Sequence, residues 1–248
     1  MAFSTSLAGY WPLADVANQS RPDLSPNGQD LTDNNGVASS ITSPPAGIQR
    51  FAVFVAATPD YLSRADSTSL SMGAGVLFTL CFWVKFNALP GAANSYVVGK
   101  TGAATREYLV YTSPTGGQHL IFEVAGTNDI AMAGGSITTA TWYFVYVIWD
   151  GTNIRIAINM GSESSAAGVD ATDGANNFAI GTRGDGDVGE GTDGNIAQVA
   201  IWKRVLTTSE LSQIYNSGNG VANLLDLDQI SGGGGAGARL ILSGVGVS

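Results

Sequence analysis

The chain has 248 residues, of which 44% are hydrophobic and only 12% charged, with 33 glycines and a formal net charge of -9. That is too apolar for a disordered chain, and 11 Lys plus Arg scattered singly give no cationic face for nucleic acid. One cysteine, Cys81, excludes an internal disulfide and a thiolate zinc site, and the lone histidine, His119 in GGQHL, reads as a turn residue rather than part of a nucleophilic triad.

The opening MAFSTSLAGYWPLADV lacks the basic start and continuous apolar run of a signal peptide, and no stretch has the length of a membrane span. The expected location is therefore a virion, or the outside of a cell reached without a cleaved signal, with the cytoplasm as the alternative. Apolar runs bounded by turn residues then follow at 77–86, 108–112, 119–125, 142–149, 153–160, 177–181 and 196–204. Short runs of this kind predict strands of a sandwich or barrel. Asp150-Gly151, between WYFVYVIW and NIRIAINM, is the clearest hairpin turn. The run 153–160 alternates, with Ile154, Ile156, Ile158 and Met160 on one face. The runs 142–149 and 77–86 are apolar on both faces, which places them mid-sheet with both sides covered.

One short helix interrupts this pattern. Thr207 and Glu210 form a capping-box spacing, Leu211, Ile214 and Tyr215 recur at helical spacing, and Gly218 is placed to end it. Such a helix can cover the outer face of the apolar strands. The domain is expected to span 1–228. Residues 229–248 contain the glycine-rich SGGGGAG and an apolar tail, ARLILSGVGVS, that either adds a strand or docks on a partner.

Several segments taken in order resemble the laminin-G-like branch of the concanavalin A-like lectin/glucanase superfamily. They are LAGYWPLADVANQSRPDLSPNGQDLTDNNGV, ATPDYLSRAD, FTLCFWVKF, TWYFVYVIWDGTNIRIAIN, FAIGTR and GNIAQVAIWKRVLTTSELSQIYNSG, over roughly 7–220. The resemblance implies an all-β, two-sheet antiparallel jelly-roll sandwich with one short helix after the last long strand. In many relatives the closing strand carries an acidic pair, where this chain has Ala197 and Gln198. That departure puts the family's usual ion arrangement in doubt.

Fold alone does not give function. No glutamate has an acidic neighbour two residues away on a plausible strand, so glycoside hydrolysis is not expected. Asp185, Asp187, Glu190 and Asp193, in the Gly-rich TRGDGDVGEGTDG, are the candidate metal ligands, with Ca2+ the ion that such oxygen donors would suit. A second oxygen-rich loop spans 23–35, and the alternative for both is a solvated acidic turn. Arg183-Gly184-Asp185 spells an adhesion tripeptide that also arises by chance. For stacking on sugar, Trp83, Tyr96, Tyr111 and Trp149 are the candidate ligand-binding aromatics, with Tyr108 and Tyr143 also of the right type. The expected function is a non-enzymatic recognition or structural module of a phage virion, a capsid decoration protein or tail-associated adhesin. Its candidate partners are a glycan and a neighbouring virion protein or second copy reached through the tail, with no nucleic acid and no membrane. The alternative is a soluble, calcium-dependent lectin-like protein.

Overall fold

The computed structural model describes residues 2–15, 20–58, 60–103, 105–126, 128–187 and 189–231. The apolar tail therefore lies outside the described residues. In chain order the strands are β1 (Leu7–Trp11), β2 (Thr32–Asn34), β3 (Ala38–Ser40), β4 (Phe51–Phe54), β5 (Tyr61–Arg64), β6 (Phe78–Phe86), β7 (Ser95–Thr101) and β8 (Arg106–Ser113). They continue as β9 (His119–Val124), β10 (Asn128–Ala131), β11 (Trp142–Trp149), β12 (Asn153–Ile158), β13 (Ser164–Ala167), β14 (Phe178–Ile180) and β15 (Gly194–Trp202). Helices α1 (Thr208–Tyr215) and α2 (Asp226–Ser231) follow.

The strands form two antiparallel sheets. The first has the order β13-β12-β11-β6-β15-β4-β3, with β1 also on β15; the second has the order β10-β9-β8-β7-β14-β5-β2. The expected two-sheet jelly-roll sandwich with a short helix after the last long strand is thus the observed fold. Between the sheets lies a core that includes Trp11, Phe54, Phe78, Phe82, Phe122, Trp149 and Phe178.

The strands read as apolar on both faces, β6 and β11, pair along their length in mid-sheet. Their second face is covered as well. Cys81, Trp83, Phe144, Tyr146 and Ile148 pack with Leu206, Leu211, Ile214 and Leu224 in a separate cluster beneath α1 and the segment after it. The chain start seals the same layer, since Trp202 Nε1 donates to the Phe3 carbonyl at 2.7 Å and Leu224 N donates to Tyr10 Oη at 3.2 Å. Phe3 N also donates to the Asp228 carboxylate at the start of α2, a helix that no sequence signal marked.

The capping box at Thr207 and Glu210 is formed as the spacing predicts. The stop is not at Gly218: the helix ends at Tyr215, with Asn216 left-handed (φ 48), because an asparagine side chain tolerates that conformation and supplies the cap two residues earlier. The hairpin turn is also formed, with Asp150 Oδ1 accepting from Thr152 N at 3.0 Å and Asn153 N at 2.7 Å. The run 153–160 ends as strand at Ile158, since Asn159 and Met160 both take positive φ.

β15 carries a bulge between Ala197 and Ala200, with Gln198 at φ 50. The bulge hands the strand's outer edge from β4, paired at 194–196, to β1, paired at 199–202. Ala197 is buried in the layer beneath α1, and the Gln198 amide donates to the Val221 carbonyl. The two positions that are acidic in many relatives serve here to join β15 to its cover.

Candidate functional site on the outer face of the second sheet

The two outer faces of the sandwich differ. That of the first sheet is closed by α1, whereas that of the second carries a small cluster of Tyr96, Leu109, Tyr111 and Ile121. Strand alternation explains the division: Val110 on β8 and Leu120 and Phe122 on β9 turn inward, so their neighbours turn out. Tyr96 and Tyr111 sit opposite each other across β7 and β8, with ring centroids 5.6 Å apart at 32°. Both rings are largely buried by their neighbours, Tyr96 3% and Tyr111 7% exposed. Burial pushes the Tyr111 phenol well up, and the nearby Glu123 and Asp129 carboxylates add to the shift.

Beside them Arg106 reaches Glu123 with one nitrogen, at 3.2 and 3.0 Å from its two oxygens. The same arginine lines a cavity of about 390 Å³, together with Thr105, Ala125, Gly126, Thr172, Asp173 and Gly174. Below the cavity Lys100 is wholly buried, with Nζ 2.6 Å from Glu107, 2.9 Å from Asp66 and 3.5 Å from Asp173. It also donates to the Gly174 carbonyl. Burial opposes the ammonium's charge, but Glu107 and Asp66 outweigh it and hold its pKa above the ordinary range. This cluster ties the segments at 66–72 and 172–174 to β7 and β8, and Met72 N donates to the second Glu107 oxygen.

The candidate metal loop packs against this sheet, with Tyr96 N donating to the Glu190 carbonyl at 2.8 Å and Gly184 N to the Thr101 carbonyl at 2.9 Å. Its carboxylates converge on a cation from the chain itself. Arg183 is 3.1 Å from Asp185, 2.5 Å from Asp187 and 3.0 Å from Glu190, and its guanidinium lies 5.7 Å from the Tyr96 ring centroid. Asp193 stands apart, at a cavity of about 260 Å³ beside Asn94 and Ser95, with its carbonyl accepting from Asn87 and Ala88. Among the described residues no group of three or more His, Cys, Asp or Glu side chains is placed to hold a metal ion. In the loop at 23–35, Asp23 accepts from Tyr10 N, Ser25 N and Gln29 N, each at 2.8 Å, which makes it a turn organiser. The adhesion tripeptide is closed on itself by the Arg183–Asp185 pair.

Of the four candidate aromatics, the structure brings Tyr96 and Tyr111 together and corrects the other two. Trp83 is buried beneath α1, stacked on Tyr215 at 5.9 Å and 15°. Trp149 lies in the intersheet core, with its indole N–H on Asp170 at 3.2 Å. Neither ring can face a ligand. Tyr108 also points inward, donating to the Leu70 carbonyl, and Tyr143 packs in the same core with its hydroxyl near Thr138. His119, expected in the turn, instead opens β9 opposite Ser113 and is buried, with Nδ1 against the Gly117 carbonyl. Sequence reasoning missed Arg106–Glu123 and the Lys100 cluster. Their signal was a charge inside an otherwise apolar strand, in SYVVGK, REYLVY and LIFEV.

A family model described as the concanavalin A-like lectin/glucanases superfamily matches residues 58–212, more than half of the chain. The chain belongs to this superfamily. No curated protein matches the sequence. Among solved structures, the binding domain of Paraclostridial Mosquitocidal Protein 1 superposes with a TM-score of 0.65 at 14% identity, over 86% of this chain and 52% of that one. Domain 4 of AbnA, an extracellular arabinanase from Geobacillus stearothermophilus, in complex with arabinotriose, gives 0.60 at 18%, over 84% and 97%. The binding domain of botulinum neurotoxin serotype G gives 0.61 at 13%, over 92% and 51%. The chain thus spans about half of each toxin binding domain and nearly all of the arabinanase domain. At these identities the similarity establishes a lectin/glucanase-like fold, and the neighbours of this superfamily member are mainly binding domains.

Proposed function

We propose that this chain is a non-catalytic recognition module that binds glycan on the outer face of its second sheet. The observation that carries this reading is the asymmetry of the sandwich. One outer face is closed by its own helix, while the other opens at the Arg106-lined cavity, beside a Tyr96–Tyr111 pair whose rings are almost fully covered by their neighbours. A sugar combines apolar ring faces with hydroxyls. A cavity lined by Ala125 and two glycines together with guanidinium, carboxylate and threonine hydroxyl groups suits both. The arabinotriose-bound neighbour supports it as a fold-level analogy.

Catalysis is disfavoured by chemistry. Glycoside hydrolysis needs one carboxyl free to donate a proton and another free to attack or activate water. Here Glu107 is held by Lys100 and Glu123 by Arg106. Calcium dependence, in this reading, gives way to Arg183, whose guanidinium already supplies the positive charge that Asp185, Asp187 and Glu190 would otherwise draw from a metal ion. The virion setting is the finer part of the proposal. It is supported by composition and by the apolar tail at 238–248 alone.

A glycan array, run with and without EDTA, tests the reading. The expected result is binding to a sugar class that chelator leaves unchanged and that Tyr111→Ala or Arg106→Ala weakens at least tenfold without altering the fold. Binding lost with EDTA would restore calcium, and no binding to any glycan would sink the reading.

A further inference from the structure

We infer that the outer face of the second sheet is built for neutral, hydroxyl-rich saccharides and rejects glycans bearing sialic acid or sulfate. The inference deepens the recognition reading above and rests on it. Its basis is the charge around the Tyr96–Tyr111 pair and the cavity beside it. Three cations stand there, and each is already opposed by carboxylates. Arg106 is 3.0 Å from Glu123, whose backbone partner on β10 is the exposed Asp129. Arg183 is enclosed by Asp185, Asp187 and Glu190. Lys100 is buried between Glu107, Asp66 and Asp173. No guanidinium or ammonium of this group is left over to meet a ligand's acid, and the surplus of charge is negative.

An anion brought to this surface meets repulsion from Asp129 and Asp173, both largely exposed, and finds the partly exposed guanidinium of Arg106 shared with Glu123 and that of Arg183 shared with three carboxylates. Like charges facing each other across an interface act mainly as discrimination against the wrong partner. The net charge of -9 extends the same bias over the whole molecule. A neutral sugar pays no such penalty. Its hydroxyls can donate to the carboxylates and accept from the outward edge of Arg106 and from Thr105 and Thr172 at the cavity. Gly126, at a positive φ of 71°, turns the chain at the cavity rim.

The test is an array of paired oligosaccharides, each core presented as the neutral sugar, its sialylated form and its sulfated form. It includes lactose, 3′-sialyllactose, 6-sulfolactose and arabinotriose, applied to the full chain at low and at high salt. We expect binding confined to neutral members, with acidic counterparts at least tenfold weaker at low salt and the gap narrowing as salt screens the repulsion. The variant Glu123→Gln, which keeps the side-chain shape and releases Arg106, should raise the acidic-to-neutral ratio severalfold. A preference for the acidic member of any pair would overturn the inference while leaving glycan recognition standing. An unchanged ratio in Glu123→Gln would also overturn it, provided that the variant retains the native circular dichroism spectrum. Absence of binding to every member would remove the recognition reading itself.

Discussion

Lys100 shows how a single residue ties the fold to the candidate site. Its ammonium is wholly buried, opposed by Glu107, Asp66 and Asp173 and by the Gly174 carbonyl. Burying such charges costs several kcal/mol per ion before their attraction is recovered, so the pair is weak as a source of net stability but costly to break. Lys100→Met leaves the Glu107 carboxylate buried with no cation, and an expected loss of about 3–5 kcal/mol should appear in urea unfolding. Adding Glu107→Gln should recover part of that loss, because the uncompensated charge is then gone. If the single and double variants are equally destabilised, the pair acts through shape rather than charge. Asp185, Asp187 and Glu190 illustrate the limit of residue-level reading: their composition suggests a cation, and only geometry brings Arg183 within ion-pair distance of all three.

At the scale of the element, α1 is specified by local sequence and used by tertiary structure. Thr207 Oγ1 accepts from Glu210 N, and Glu210 returns the bond to Thr207 N at 2.8 Å. Burial alone pushes the Glu210 carboxyl up, but hydrogen bonds from Arg204 and Thr207 outweigh it and bring its pKa from 4.5 down to about 2. A carboxyl depressed on folding stabilises the protein fully above its unfolded value and loses that contribution as pH falls toward the folded one. The capping contribution should therefore be intact above pH 4.5 and decline toward pH 2. Thr207→Ala is expected to cost about 1 kcal/mol at neutral pH, measured by thermal or denaturant unfolding, and less near pH 2, where Glu210 has released its partners. The helix was legible because capping and 3.6-residue spacing are local. Strand β7 was not: SYVVGKT is interrupted by glycine and carries a lysine, and its place beside β8 depends on pairing with residues that follow it.

The whole molecule is a sandwich whose two outer faces have different fates. On the first sheet, α1, the chain start and the segment leading to α2 form an apolar lid over β6, β11 and β15. Among the described residues no helix covers the second sheet, and its exposed chemistry is correspondingly polar. The first and last described segments meet at that lid through Phe3 and Asp228. Removal of residues 232–248 is accordingly expected to leave the melting temperature unchanged and to abolish association with a partner or second copy, read by calorimetry and light scattering. A truncated chain that fails to fold would make the tail an internal strand, and one that associates as before would end its docking role.

Local regularities determined a strand pattern of sandwich or barrel type, the hairpin at Asp150-Gly151 and the capped helix, because alternation, turn chemistry and capping act within a few residues, while the two-sheet jelly roll followed from the resemblance of the ordered segments to the superfamily. The same regularities showed that β6 and β11 need cover on both faces. Tertiary structure alone decided which layer each aromatic joins. Trp83 and Trp149 have the composition of platforms, yet one lies under α1 and the other between the sheets, since a strand's two faces are equivalent until packing chooses between them. It also decided the pairing of charges. Arg106 with Glu123, Arg183 with three carboxylates and Lys100 with Glu107 arise from strand register and loop closure, which bring together groups whose spacing along the chain carries no sign of the contact.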